Sequence, residues 1–265
     1  MNFRRIEWIF LIAFIALDIF LIGAYYNQNG VETEKDTGDI RTTTSVLRSL
    51  KDDQISYPKK LSTKEEAGYY IANPNDDYLS TKIDQLGENK AEYSKHDKKL
   101  SVTFDKKIKL SNSDQPEKTL DEVIKNSSLV VEGNKYQYEP NFSSKNEVVY
   151  TQVVYGEKLS SEEGMLKFNI SNGYVIGYSQ TYLQDIEILR EKKKTISQKR
   201  ALIWLYQYNK LPANSKVKWG KLGYTKLLSV NGSTVYIPAW NFAVKTEGST
   251  TIYRRINAFN GAVME

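Results

Sequence analysis

The chain contains no cysteine and a single histidine in 265 residues. Without cysteine there is no disulfide, thiolate zinc site, iron–sulfur cluster or thiol nucleophile. That absence does not fix the compartment, because disulfides are common but not obligatory outside the cell. One histidine, His96, excludes a multi-histidine metal site and leaves one conventional imidazole base. No G-x-S-x-G, H-E-x-x-H or phosphate-loop pattern occurs, and no metal or cofactor is expected. A surplus of one charge sign is also lacking: 37 basic and 32 acidic residues are interspersed, for a formal net charge of +5. The nineteen tyrosines are scattered at strand-like spacing instead of grouped in a basic groove, so no nucleic-acid partner is expected. Long apolar runs are missing too, apart from one at the N-terminus that the mean hydropathy of −0.53 averages away.

That run spans residues 6–26, from Ile6 through Tyr26. A bilayer crossing needs about 20 mostly apolar residues as helix. Arg4 and Arg5 precede it, which places the N-terminus in the cytoplasm and everything after Tyr26 outside. Trp8, Tyr25 and Tyr26 suit interfacial anchors. A cleaved signal peptide is the competing reading, but its apolar core would be about 7–15 residues with a small-residue cleavage site. The run here is longer and flows into Gly23-Ala24-Tyr25-Tyr26, so an uncleaved single-pass anchor in the cell membrane is expected. Asp18 lies within the span. A carboxylate there costs about 2.5–3.5 kcal/mol on insertion scales and normally faces a protein partner or a wet cavity.

Residues 27–41 are polar, with Gly30 and Gly38, and read as a linker. Thr44 or Ser45 is expected to cap a short helix running to about Gln54. Strands are expected around Ser56–Leu61, Ala67–Ile71 and Leu100–Leu110. In the last, Leu100, Val102 and Phe104 share one face. The polar stretch Ser111–Lys118, with Pro116, is the expected boundary between an N-terminal lobe at 42–113 and a C-terminal lobe at 114–265.

The second lobe carries an internal echo. Residues 169–175 and 257–263 both fit N-x-x-N-G-x-V. Each follows a strand-like run (Val148–Tyr155, Val235–Val244) and, further upstream, a helix-like segment (Thr119–Asn126, Ser197–Asn209). Asn-Gly between β-type residues is a strong hairpin signal, since a type I′ turn needs positive φ at both central residues. The echo reads either as tandem units at 114–190 and 191–265 or as two independent hairpins. The helix at 197–209 starts at Thr195 or Ser197 and is stopped by Pro212. Strands at Lys216–Leu228, Val235–Val244 and Thr250–Ala258 follow. Helices alternating with antiparallel hairpins give an α+β class, with helices on one sheet face. Pro238 implies an edge strand or bulge. Tyr236, Pro238 and Trp240 are therefore the candidate ectodomain interface, an edge either open to a partner strand or protected by its proline.

Catalytic constellations are poor. His96 sits in a charged, loop-like stretch, and Arg190–Lys194 reads as a solvated turn. Glu162-Glu163 suits a surface turn better than a paired-carboxylate site. Asn75-Asp76-Asp77 lacks the further oxygen ligands of a calcium loop. No enzyme is expected.

Several stretches taken together resemble a known family. They are the opening Arg4-Arg5-Ile6-Glu7-Trp8-Ile9-Phe10, the Leu17-Asp18-Ile19-Phe20-Leu21 of the span, and the closing Val235-Tyr236-Ile237-Pro238-Ala239-Trp240 with Asn257-Ala258-Phe259-Asn260-Gly261. With the tyrosine-rich ectodomain they resemble the YycI (WalI) regulatory proteins. The resemblance implies a single-pass membrane protein of low-GC Gram-positive bacteria. It implies a YycH-like partner and modulation of a YycG/WalK-type sensor histidine kinase in cell-wall homeostasis. It supplies no catalytic residues. Asp18, with Phe14 and Gly23 as aromatic and small span residues, is then the expected contact with kinase helices. The other reading is an anchored PepSY-like domain that binds wall polymer or inhibits an exported protease. A third, an anchored wall hydrolase, requires two convergent acids in a groove.

Overall fold

The computed structural model describes residues 3–29, 39–74 and 76–264. The chain forms two compact units, residues 1–48 and 49–265. The first holds helix α1 (Phe3–Asn29) and the start of α2 (Asp39–Asp52). The second helix begins earlier than Thr44 or Ser45, which lie inside it. Side chains of α1 are described only at Trp8 and over 10–22. Among the described residues no helix is long and apolar enough to cross a membrane, and the anchor is taken up below as a proposal.

The second unit is built on antiparallel strands, as the α+β reading expects. In chain order they are β1 (Ala67–Gly68), β2 (Ile71–Pro74), β3 (Lys90–Ser94), β4 (Lys99–Lys109), β5 (Tyr136–Tyr138), β6 (Glu147–Val154), β7 (Glu157–Lys158) and β8 (Met165–Ser171). Then come β9 (Tyr174–Gln180), β10 (Glu187–Ile188), β11 (Lys193–Lys194), β12 (Lys216–Val230), β13 (Ser233–Lys245), β14 (Thr251–Asn257) and β15 (Val263–Met264). Helix α3 (Glu117–Val123) precedes β5, and α4 (Gln198–Gln207) precedes β12. One sheet runs β3-β4-β9-β8-β6-β5, with β7 on β6. A second runs β10-β2-β13-β14-β15, with β12 on β13. Strands β1 and β11 pair separately.

The alternation in β4 holds, with Leu100, Val102 and Phe104 all buried. They join Phe168, Tyr150 and Tyr178 in one core, on which Leu120 and Val123 of α3 also pack. The expected division at 111–118 does not hold. Strand β4 before it pairs with β9 after it, so residues from both sides build one sheet. Ala67–Ile71 is split between β1 and β2, and of Ser56–Leu61 only Ser56 bridges, to Lys216. Helix α4 is capped by Ser197, whose Oγ accepts the Arg200 N–H at 3.3 Å. It ends before Pro212, because Asn209 takes a left-handed φ of 54° and the Lys210 N–H returns to the Leu205 carbonyl at 2.9 Å.

The echo is a repeat of topology. A helix and a four-strand meander occur twice, as α3-β5-β6-β8-β9 and as α4-β12-β13-β14-β15. In both, the Asn-Gly pair joins the third and fourth strands. Asn172 and Gly173 have φ of 51° and 78°, the two positive values of a type I′ turn. In the second copy only Gly261 is positive, at 71°, and the connection is longer. Trp204 of α4 explains the glycine: a Cβ at 261 would lie 1.6 Å from its ring.

The two sheets are joined edge to edge. The Leu159 N–H donates to Gln152 of β6, and the next N–H, of Ser160, donates to Tyr224 of β12, both at 2.8 Å. Successive strand amides point to opposite sides, so this short segment is paired with both sheets at once. At the crossing a Cβ on Gly223 would lie 2.4 Å from the Ser160 Oγ, and glycine permits the approach.

Strand β13 corrects the edge expectation. It is paired with β12 along its length on one side, and with β2 at 233–236 and β14 at 239–245 on the other. Pro238 faces the gap between those last two partners. Its carbonyl accepts the Ala258 N–H at 2.9 Å, so its own nitrogen is on the same side. There β2 has ended and the β14 ladder has not begun. The missing N–H costs no ladder bond, which is how a central strand tolerates proline.

Candidate functional site

The expected interface residues are inside the molecule. Tyr236 belongs to a small core at the sheet junction, with Ile71, Val154, Leu159, Leu183 and Tyr224. Pro238 is covered by β1, where Gly68 packs so closely that a Cβ would lie 2.4 Å from the proline Cγ. Trp240 is buried, and its indole N–H donates to the Ile196 carbonyl at 2.8 Å. These three residues therefore hold the junction together and offer no open edge for strand addition. In α1, Phe14 and Asp18 are four residues apart and share a helix face. Gly23 is nine positions beyond Phe14, which at roughly 100° per residue sets it on the opposite side; it lies outside the residues whose side chains are described.

Two depressions flank the junction. The smaller, about 50 Å³, is lined by Tyr78, Tyr93, Tyr182 and Tyr236 among others. The Tyr78 hydroxyl donates to Glu132 at 2.8 Å and Tyr93 to Asp77 at 3.1 Å. Burial first, and then these carboxylates, push both phenols up to about 12. Both hydroxyls act here as hydrogen-bond donors to these carboxylates.

The larger depression, about 340 Å³, opens between β5, β7 and β12. It contains the best-organised charged cluster of the unit. Glu139, whose side chain is only 5% exposed, binds Lys221 at 3.0 Å and Lys158 at 3.2 Å. It also accepts from the Asn141 side-chain amide at 2.6 Å. Burial pushes the Glu139 carboxyl up. The Asn141 amide and the two ammonium groups outweigh that and hold it below the ordinary carboxylate value. Lys158 also donates to the Tyr138 carbonyl at 2.5 Å. Nearby, Trp219 meets Phe142 edge-on, with centroids 5.8 Å apart. On the same rim, Glu157 is pushed up by burial and by Glu66, while Lys192 and Lys64 oppose the shift.

Nothing in this cluster pairs a nucleophile with a base. His96 is exposed in the turn after β3, and its neighbour Asp97 accepts from Ser94 at 2.9 Å. Glu162 and Glu163 begin a 3-10 turn and pair with different lysines, Lys167 and Lys226. Among the described residues no three histidine, aspartate or glutamate side chains group as a metal site. The Glu139 cluster was invisible in the sequence. Its lysines are 19 and 82 positions away, and no short-range pattern marks one acid among the 32 acidic residues.

A family model described as YycI protein matches residues 34–259. No curated protein matches the chain. Among solved structures, an uncharacterized protein from Eubacterium rectale is similar with a TM-score of 0.50 at 12% identity, over 84% of this chain and 98% of that one. YycH from Bacillus subtilis is similar with a TM-score of 0.45 at 12% identity, over 79% of this chain and 61% of that one. At this identity the first likeness shows the fold alone, and the second carries no further argument.

Proposed function

The chain belongs to the YycI protein family, and on that premise we propose that it is a membrane-anchored, non-enzymatic regulator. With a YycH-like partner it modulates a YycG/WalK-type sensor histidine kinase in cell-wall homeostasis. The family match over 34–259 carries this reading. The family is one of regulatory proteins rather than enzymes, and membership supports a role in the YycG/WalK system.

In this reading residues 6–26 anchor the chain in the cell membrane, with the N-terminus cytoplasmic and the bulk outside. Phe14 and Asp18, on one helix face, contact the kinase helices, and the ectodomain docks the YycH-like protein. Such a regulator acts only by binding one kinase state better than the other. A tenfold preference corresponds to about 1.4 kcal/mol. Asp18→Leu tests the membrane contact. Reduced recovery of the kinase with the full-length chain, together with altered kinase output, is expected. Unchanged recovery and unchanged output remove Asp18 from the account.

A further inference from the structure

The 340 Å³ depression beside Glu139 has the build of a ligand site. Its volume is at the low end of the ~300–1,000 Å³ typical of ligand pockets, room for one or two ring units. Three carboxylates, Glu66, Glu139 and Glu157, and two ammonium groups, Lys158 and Lys221, line it. Glu139 is fully engaged, but the lysines are not. Lys158 uses two of its three N–H groups and Lys221 uses one. Glu157 is half-buried, and among the described residues its carboxylate has no hydrogen bond or ion pair, Lys192 and Lys64 acting on it only as nearby charges. Gln137 and Ser160 add an amide and a hydroxyl, each able to donate and accept. Trp219 and Phe142 add half-buried aromatic rings.

Donors and acceptors are thus interleaved around an aromatic wall, and the charges nearly cancel. A free phosphate or carboxylate would meet the repulsion of Glu157 and Glu66. A simple cation would meet Lys158 and Lys221. An uncharged polyhydroxylated ring suits the site better. Each of its hydroxyls donates to a carboxylate or accepts from an ammonium, and its C–H face packs on an aromatic ring. We propose that this depression binds a saccharide, one or two uncharged pyranose units held between Trp219 and the Lys221–Glu157 rim. The proposal is independent of the kinase reading.

The test is calorimetric titration of the purified full-length chain in a sugar-free detergent. The probes are maltotriose and N,N′,N″-triacetylchitotriose, with inorganic phosphate and a glycine dipeptide alongside. At least one trisaccharide is expected to bind at one site with a Kd in the millimolar range or tighter. Trp219→Ala and Gln137→Ala are each expected to weaken it by about tenfold or more. Gln137 is exposed, so its variant keeps the test informative if Trp219→Ala perturbs folding. Kinase recovery with the Gln137→Ala chain is expected to be unchanged, which separates failure here from failure of the regulatory reading. No heat from either trisaccharide, binding indifferent to Gln137→Ala, or binding of phosphate or dipeptide in their place overturns the proposal.

Discussion

Glu139→Gln removes a charge while keeping the side chain's shape, and its cost follows from the geometry. The carboxylate is 5% exposed and holds two ammonium groups at 3.0 and 3.2 Å. Hydrogen bonds to charged groups contribute about 1.5–3 kcal/mol each, and breaking a fully buried pair costs about 3–5 kcal/mol. Here the lysine side chains are 29% and 45% exposed and recover part of their hydration, so the expected loss is about 2–3 kcal/mol. For a domain of this size each kcal/mol moves Tm by about 2–4 °C, giving a fall of about 4–12 °C at pH 7. The sign with pH is fixed by the carboxyl being held below its ordinary value. The contribution is complete above the unfolded carboxyl's pKa of about 4.3 and is lost as pH falls through the lower folded value. The gap between wild type and variant should therefore close in acid. Urea titrations followed by near-ultraviolet circular dichroism at pH 7 and pH 3 measure both. A variant within about 0.5 kcal/mol of wild type at pH 7, the usual range of a neutral surface change, or a gap that widens in acid, refutes the reasoning.

Glu157→Gln should act in the opposite direction. Its carboxyl is raised by burial and by Glu66, so ionising it is unfavourable in the folded state. That penalty grows as pH rises from the unfolded pKa through the raised folded one. The variant should be the more stable protein at pH 7, with the gain gone at pH 4 in the same urea titrations. Gly261→Ala should cost about 2–3 kcal/mol, since the new methyl meets the Trp204 ring at 1.6 Å and φ is 71°. Gly232→Ala, at a φ of 76° with open space around it in the Asn231-Gly232 turn, should cost only about 1 kcal/mol. Thermal melts of the pair separate packing from backbone strain, and equal costs contradict the close approach of Trp204.

Local periodicity carried much of the fold. The alternation of Leu100, Val102 and Phe104 marked β4, and the two Asn-Gly pairs sat at matching joints of two helix-plus-meander units. What failed was non-local. Strand β4 finds β9 across the polar Ser111–Lys118 stretch, and no local signal carries that pairing. In β13 the near-continuous apolar run from Val235 to Val244 was the mark of a strand covered on both faces. Pro238 pulled the reading toward an edge, because the gap between β2 and β14 that accommodates it exists only in three dimensions. The same limit hid Glu139, Lys158 and Lys221, which are brought together by the edge-to-edge join at Leu159 and Ser160.

Affinity purification from solubilised membranes tests most directly the proposal that the chain is a tethered partner of a sensor kinase. A YycH-like protein and a YycG/WalK-type kinase should co-elute with an N-terminally intact chain. Recovery of the chain from the medium with its N-terminus near Tyr25, or from membranes with neither protein bound, contradicts the account.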